Sequence, residues 1–568
     1  MAGLNRDAAS VAIVVLGPGA LDTARRIQPV YSGAQVHGLA RRVVGADVAF
    51  TELGEHLRAL YAAGTPIVAL CSAGIVIRAI APCLANKGAE PPVLAVAEDG
   101  SAVVPLVGGL SGVNAMAREI ARALDTAPAI TTSGELRFGT CLLNPPEGYV
   151  LADIEHGKRF VSDLLAGAPT RIEGAAPWLD DAGLPRAPDA RLAIRVTSRI
   201  ARLGEGDDLM IHPRCVVAWV GDASRGDIAE RVRLALREHG IAPLSLAVLL
   251  APLRDAASEP LAEAARTLGV PLRFNAEPPT DASERFVSQD IVLAVSERPV
   301  DPSTTGRARG KLTVIGLGPG SADLMVPAAK QALAQADDIL GYDTYVRMAG
   351  PFRDGQRVHG TDNREEMQRA RHAFELASEG RRVVVVSSGD PGVFAMAAAV
   401  LEALDRAHEE AHAREPAWTS VELDIVPGVS AALATAARAG APLGHDFCML
   451  SLSDNLKPWS IIETRLRHAA EADLVMAFYN PVSRARPWQL DRALDIVREH
   501  RAGATKVVLG RDIGRPGETL VTTTLDALHS DQVDMRTMVI VGSSTTRAFP
   551  KDAKSEWVYT PRWYGEKP

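Results

Sequence analysis

Residues 383–397 read VVVVSSGDPGVFAMA, an apolar run that stops at Ser387-Ser388-Gly389-Asp390-Pro391-Gly392 before an alanine-rich stretch. Consecutive β-branched valines suit a strand buried on both faces, which is the habit of parallel sheets. Gly389 and Gly392 let the main chain approach a ligand closely, and open α/β sheets bind ligands at the carboxyl ends of their strands. Asp390 can accept a hydrogen bond from a ligand hydroxyl or amine. The same Asp-Pro-Gly also makes a good β-turn with no ligand at all.

The pattern repeats in both directions. Val11–Leu16, Ile67–Cys71, Val93–Ala97, Val216–Val220, Leu312–Ile315, Leu423–Val426, Leu474–Phe478, Val507–Leu509 and Met538–Val541 are short apolar runs separated by Ala/Leu/Arg-rich helical stretches. This alternation predicts a multidomain α/β protein of several small parallel or mixed sheets flanked by helices, each strand buried on both faces. A chain of 568 residues exceeds the roughly 250-residue ceiling for one hydrophobic core. Two stretches break the alternation, Pro169 to Pro188 and Arg298 to Gly310, and the second reads as the better linker. The expected division is residues 1–195, 196–298, a linker at 299–310, and 311–568 with subdomains of about 311–428 and 429–568.

A hydrophobic share of 47% with 23% charged residues is that of an ordinary globular protein, so disorder is not expected. A net charge of −8 without a basic block gives no reason to expect nucleic acid or an anionic membrane. No run reaches the roughly 18 apolar residues of a membrane span, and the apolar run at Val11–Leu16 is too short for a signal peptide, so a cytoplasmic protein is expected. Cys71, Cys83, Cys141, Cys215 and Cys448 are scattered, which argues against structural zinc, an iron–sulfur cluster or a disulfide framework.

Three further loops follow strands in the C-terminal half. Gly316, Gly318, Pro319 and Gly320, with Asp343 after the next strand, invite a dinucleotide reading. Pro319 has no N–H for a pyrophosphate, and Pro327 suits the first turn of a helix that starts well beyond Gly320; both count against it. Pro427-Gly428-Val429-Ser430-Ala431 opens an alanine-rich helix, where Ser430 is equally a helix cap. Phe478-Tyr479-Asn480-Pro481 is the last. Four such loops suggest one cleft.

Taken in order, GLGPGSADLMVP, VVVVSSGDPGVFAMA, DIVPGVSAALATAA, HDFCMLSLSDNLKPW and FYNPVSRAR resemble the corrin and porphyrin methyltransferase family. The LSLSDNLKPW and FYNPVSRAR segments point, within it, to the members that contract the ring. The resemblance spans nearly all of Lys311 to Tyr559 and implies two α/β domains, S-adenosylmethionine in the cleft between them, and a homodimer. By motif, the cofactor would lie against Pro319, Gly389, Asp390, Val393, Ser430, Ala431, Tyr479 and Asn480. The implied reaction is methylation of precorrin-3B at carbon 17 with extrusion of the carbon-20 bridge, giving precorrin-4. The absence of a cysteine cluster favours the metal-free substrate.

A sulfonium is already an activated methyl donor, so transfer needs positioning and desolvation rather than a nucleophilic residue. Ring contraction needs a base, for which His445, Asp446 and Asp454 are the polar groups nearest the distinctive segment; His445-Asp446 also reads as a plain loop before a strand. A many-carboxylate substrate calls for arginine clamps, and Arg347, Arg364, Arg484, Arg486 and Arg511 lie in or near motif loops.

In the N-terminal half, strands Val93–Ala97 and Ala102–Leu106 flank Asp99-Gly100. The loop Gly108-Gly109-Leu110-Ser111-Gly112-Val113-Asn114 opens a helix, and a strand is expected at Ala129–Thr132. Gly74, Arg78, Pro82, Lys87, Asp99, Gly100, Pro105, Gly108, Asn114, Thr131 and Thr132 resemble the cobalt-precorrin-5A hydrolase family, the cobalamin biosynthesis G proteins, which open a lactone on a corrin precursor. Val216 to Glu297 resembles the C-terminal domain of that family through Glu259 and Pro260, with its glycine-rich opening reduced to Val220-Gly221-Asp222. Where the family carries Gly-His, this chain has Gly108-Gly109. A degenerate, corrin-binding module is the favoured expectation and an active hydrolase the alternative.

Overall fold

The computed structural model describes residues 10–31, 33–84, 90–200, 208–362, 365–410, 418–483, 487–552 and 555–564. The chain forms two compact units, Met1–Ala308 and Arg309–Pro568.

The first unit holds three sheets. The leading one has six strands in the order Val48–Phe50, Gln35–Leu39, Ala12–Val15, Ile67–Leu70, Val93–Val96 and Val103–Val107, parallel except for the last pair. Its central strands point alternate side chains to two cores, as the period of a strand requires. Ile13, Val15 and Val68 pack with the helices Leu21–Ile27 and Val113–Leu124, whereas Val14, Ile67 and Ala69 pack with Leu53–Ala62 and Ala73–Ile80. The four-stranded second sheet runs Tyr149–Leu151, Asp208–Pro213, Leu192–Val196, Thr170–Glu173. The third has five strands, with Leu246–Ala251 and Val216–Val220 near its centre.

Three expectations need correction. A boundary between residues 195 and 196 would cut a sheet, because Leu192–Val196 pairs in parallel with Asp208–Pro213. The Pro-rich stretch from Pro169 likewise contains the strand Thr170–Glu173. No strand forms at 129–132: Pro128 has no N–H to extend a ladder, and this segment is held by the Ala129 amide donating to Val103 O at 2.8 Å.

The second unit begins with a parallel sheet in the order Arg357–Thr361, Asp338–Tyr342, Arg382–Ser387, Lys311–Gly316, Glu422–Val426. Helices Glu366–Ser378 and Met396–Glu410 cover one face, and Pro327–Gln335 and Asp343–Ala349 the other. The valines of Arg382–Ser387 are buried on both faces, as their run predicts. Glu422–Val426 is not, and Ile425 is 39% exposed, because among the described residues this strand ends the sheet and pairs only with Lys311–Gly316. The chain then crosses through Pro427–Ser430 into the helix Ala431–Ala439, which packs on a second, mixed sheet. That sheet runs Phe447–Ser451, Val475–Tyr479, Thr537–Val541, Lys506–Arg511, Thr519–Thr524. Among the described residues no helix is long and apolar enough to cross a membrane.

One buried pair in the first unit responds to acid. His37 Nδ1 lies 2.9 Å from His56 Nε2, and the His56 ring stacks on Phe50 at 4.5 Å. Burial, followed by the neighbouring His56, pushes the His37 pKa down to about 4. Between that value and the unfolded value near 6.5, the unfolded chain holds a proton that the folded one lacks. Stability is therefore complete above the upper limit and falls as pH drops through the window, by at most about 3 kcal/mol. Calorimetric unfolding followed from pH 7 to pH 4 should show this slope for the transition of the first unit, flattened in His37→Gln; an equal slope in both proteins would contradict it.

Candidate functional site

The site is built where the strands Lys311–Gly316, Arg382–Ser387 and Glu422–Val426 end. Past these ends Gly318 and Gly389 exchange main-chain hydrogen bonds, Gly318 N to Gly389 O at 3.2 Å and Gly389 N to Gly318 O at 2.8 Å. A Cβ on Gly316 would stand 2.3 Å from Gly389 O and 2.9 Å from Gly428 Cα, so three loops meet main chain to main chain with no room for a side chain. The floor of the site is peptide groups.

Asp390 braces this floor. Its Oδ1 accepts from the Gly392 amide at 2.8 Å and its Oδ2 from the Gly428 amide at 3.0 Å, so one carboxylate fixes its own turn and ties it to the next loop. The Val393 amide closes the turn on Asp390 O at 3.3 Å. Ser430 is buried and caps the helix Ala431–Ala439 through the Leu433 amide at 3.3 Å. The capping reading of this serine is thus realised. Ala431 follows in the same first turn.

The fourth loop comes from the second sheet. The Ala432 amide donates to the Tyr479 hydroxyl at 3.3 Å, and the Tyr479 ring lies 5.2 Å from that of Phe394. Asn480, in the left-handed region at φ 53°, donates through Nδ2 to Ser451 Oγ at 3.1 Å. Pro319, Gly389, Asp390, Val393, Ser430, Ala431, Tyr479 and Asn480 therefore belong to one set of touching loops. After Gly320 comes only the single 3-10 turn Ala322–Leu324 before the α-helix that starts at Pro327, so these glycines do not cradle a pyrophosphate at an α-helix N-terminus.

A fifth loop was missed. After Lys506–Arg511 the chain turns through Gly514, at φ 81°, and Arg515 donates from Nε to Pro319 O at 2.8 Å and from Nη2 to Ser388 Oγ at 3.2 Å. Arg515 thus straps the second sheet onto the first two loops. GRDIGRPGE after the Val507–Leu509 run has the same strand-then-glycine signature as the other loops, and that signal could have found it.

The proposed bases divide. Phe447 pairs with Val475 and Ser451 with Tyr479, so His445 and Asp446 precede the strand at the end away from Tyr479, roughly 13 Å along it from Ser451. His445 Nδ1 accepts from the Asp446 amide at 2.8 Å, and its ring meets Tyr564 edge-on at 5.2 Å. Neither group is placed to serve the loops. Asp454 follows Ser451 on the correct side, and Gln489 Nε2 donates to its Oδ2 at 3.4 Å. Of the arginines, Arg511 is held by Asp534 at 2.9 Å and Asp512 at 3.2 Å, and Arg347 is exposed on the helix Asp343–Ala349. Arg364, Arg484 and Arg486 lie outside the described residues, as does Lys87.

In the first unit Asn114 Nδ2 donates to Thr132 Oγ1 at 3.0 Å. Asp99-Gly100 sits elsewhere: Gly100 packs against Leu124, at the far end of the helix that Asn114 opens. Among the described residues no group of three or more His, Cys, Asp or Glu could hold a metal ion.

Removing the brace should loosen the loops. Asp390→Ala is expected to weaken S-adenosylhomocysteine binding by at least about tenfold, since a charge-assisted hydrogen bond contributes on the order of 1.5–3 kcal/mol. Asp390→Asn keeps one acceptor and should lose less. Calorimetric titration measures both, and wild-type affinity in the alanine variant would show that the amides need no brace.

Tetrapyrrole (Corrin/Porphyrin) Methylases match residues 311–529, and Cobalamin synthesis G N-terminal matches residues 55–135. The Precorrin-3B C(17)-methyltransferase of a Sinorhizobium species is 50% identical over 255 residues, which cover 97% of that protein and 45% of this chain. Cobalamin biosynthesis protein CobIJ of Mycobacterium tuberculosis is 46% identical over 269 residues, half (50%) of its own length and 46% of this chain. The crystal structure of the methyltransferase CobJ is 50% identical, covers 44% of this chain and 100% of its own, and superposes with a TM-score of 0.41. With a relative of this identity aligned over nearly its whole length, the chain belongs to the tetrapyrrole (corrin/porphyrin) methylase family.

Proposed function

We propose that residues 311–568 transfer a methyl group from S-adenosylmethionine to carbon 17 of precorrin-3B and contract its ring to precorrin-4, a step of cobalamin biosynthesis. The observation that carries this reading is the meeting of five loops from two sheets at Gly316, Gly389, Gly428, Tyr479 and Arg515, in a chain 50% identical to a Precorrin-3B C(17)-methyltransferase. The residues fit the cofactor: the glycine contacts leave a main-chain floor, and Phe394 and Tyr479 add aromatic surface beside it.

S-adenosylmethionine supplies a methyl group already activated on sulfur. The chain's own task is to position and to exclude water. Asp390 and Arg515 hold loop against loop, Ser430 fixes the helix start, and Tyr479 links that helix to the second sheet. Asp454, on the site side of its strand, is our assignment for proton movement during ring contraction. The enzyme is taken to work in the cytoplasm as a homodimer. We assign the N-terminal half to corrin binding rather than lactone opening, because Gly109 stands where a histidine is expected.

Incubating the full chain with precorrin-3B and isotopically methyl-labelled S-adenosylmethionine should add one labelled methyl at carbon 17, located by NMR. In Asp454→Asn, methyl transfer should persist while ring contraction is lost. The same protein should leave cobalt-precorrin-5A unopened. Label on another carbon, or none, would overturn the reading of the C-terminal half, and aldehyde release would overturn that of the N-terminal half.

A further inference from the structure

The first unit contains a cavity of about 300 Å³, lined by none of the residues used above for methyl transfer. Gly109 and Gly112, the start of the helix Val113–Leu124, and the segment from Gly139 to Pro146 line it, with Trp178 on its wall. At its floor Glu135 is 5% exposed. One carboxylate oxygen accepts from Asn114 Nδ2 at 2.7 Å, and the other pairs with the Arg118 guanidinium. Both oxygens of the acid are therefore engaged, whereas Arg118 keeps most of its five N–H donors and leaves 41% of its side chain exposed.

The rest of the wall is rich in donors. Thr140 and Asn144 offer a hydroxyl and an amide, and the Trp178 ring adds apolar wall. Cys141 adds no negative charge, since burial, followed by Glu135, pushes its thiol up to about 11. Asp181, exposed at the rim, is the one acidic side chain here not already engaged by Asn114 or Arg118. A cavity with spare donors, an open guanidinium fork and an acid already satisfied is complementary to an acceptor that carries negative charge.

We propose that this cavity is a second ligand site of the chain, taking a carboxylate, with Arg118 as its charged partner and Asn144 and Thr140 as neutral donors. Glu135 and Asn114 hold the Arg118 fork in place and are positioning residues. The volume admits a small dicarboxylate or one carboxylate arm of a larger molecule, and not a whole macrocycle. The proposal deepens the assignment of the first unit as a binding module and rests on it, while owing nothing to the methyl-transfer reading.

Hydrogen exchange read by mass spectrometry on the full chain tests it, with glutarate and uroporphyrin III as separate probes. Either probe should slow exchange in peptides covering 108–118 and 139–146. Protection by glutarate alone assigns a small dicarboxylate; protection by uroporphyrin alone assigns one arm of an acidic macrocycle; protection by both assigns the carboxylate itself. Arg118→Gln should raise the concentration needed at least tenfold. Arg118→Lys, which keeps the pairing with Glu135 and so guards against misfolding, should also weaken protection for want of a fork. S-adenosylhomocysteine titration should be unchanged in both variants, which separates this result from any failure of the methyltransferase reading. No protection with either probe, or equal protection in wild type and both variants, would overturn the site.

Discussion

Everything in the second unit depends on the approach of Gly316, Gly389 and Gly428. Their peptide groups touch at distances that a single Cβ would forbid, and the mutual hydrogen bonds of Gly318 and Gly389 hold the contact. Strands that end in side chains would splay their loops apart and leave a groove lined by whatever projected. Ending them in glycine brings the loops together and leaves main-chain groups as the surface. Such a surface recognises a ligand by fixed N–H and C=O directions rather than by flexible side chains, so little reorganisation follows binding.

Contact at this range is easily lost unless something holds the loops in register, and two ionisable groups do so from opposite sides. Asp390 draws the second and third loops together through two amides, and Arg515 draws the fifth loop onto the first and second. Both spend their hydrogen bonds on the protein. Asp390, which in sequence looked like a group to meet a ligand, is first a part of the scaffold.

How much of this was legible in sequence follows from the range over which each feature is determined. The valine run of Arg382–Ser387 and the glycine-ended loops are local signals, and they led to the strands and to the clustering of the four loops. The burial of Leu423–Val426 was misjudged because being the last strand of a sheet is a property of topology, and an apolar run does not record how many neighbours it will have. His445 and Asp446 lie next to a distinctive segment in sequence, yet one strand length separates them from its functional end. Proximity along a strand is the poorest guide to proximity in space, since about 3.3 Å accrues with each residue. The boundary at 195 failed for a related reason: parallel pairing of Leu192–Val196 with Asp208–Pro213 joins segments on both sides of it, and such pairing is a property of topology.

The two units also contain two buried carboxylates that invite comparison. Asp338 is fully buried in the strand Asp338–Tyr342, beneath Arg381 and His359, the latter at 2.8 Å. Arg381 and His359 enclose it, and an ion pair of this kind is an internal fastening. Glu135 is held by a guanidinium and an amide nitrogen, but its arginine opens onto empty volume. Burying a charged pair adds little stability over apolar packing of the same volume, so stability alone does not account for a half-open one. At Gly109 the mouth of the cavity carries no side chain, while the polar floor of Glu135, Asn114 and Arg118 lies beneath it.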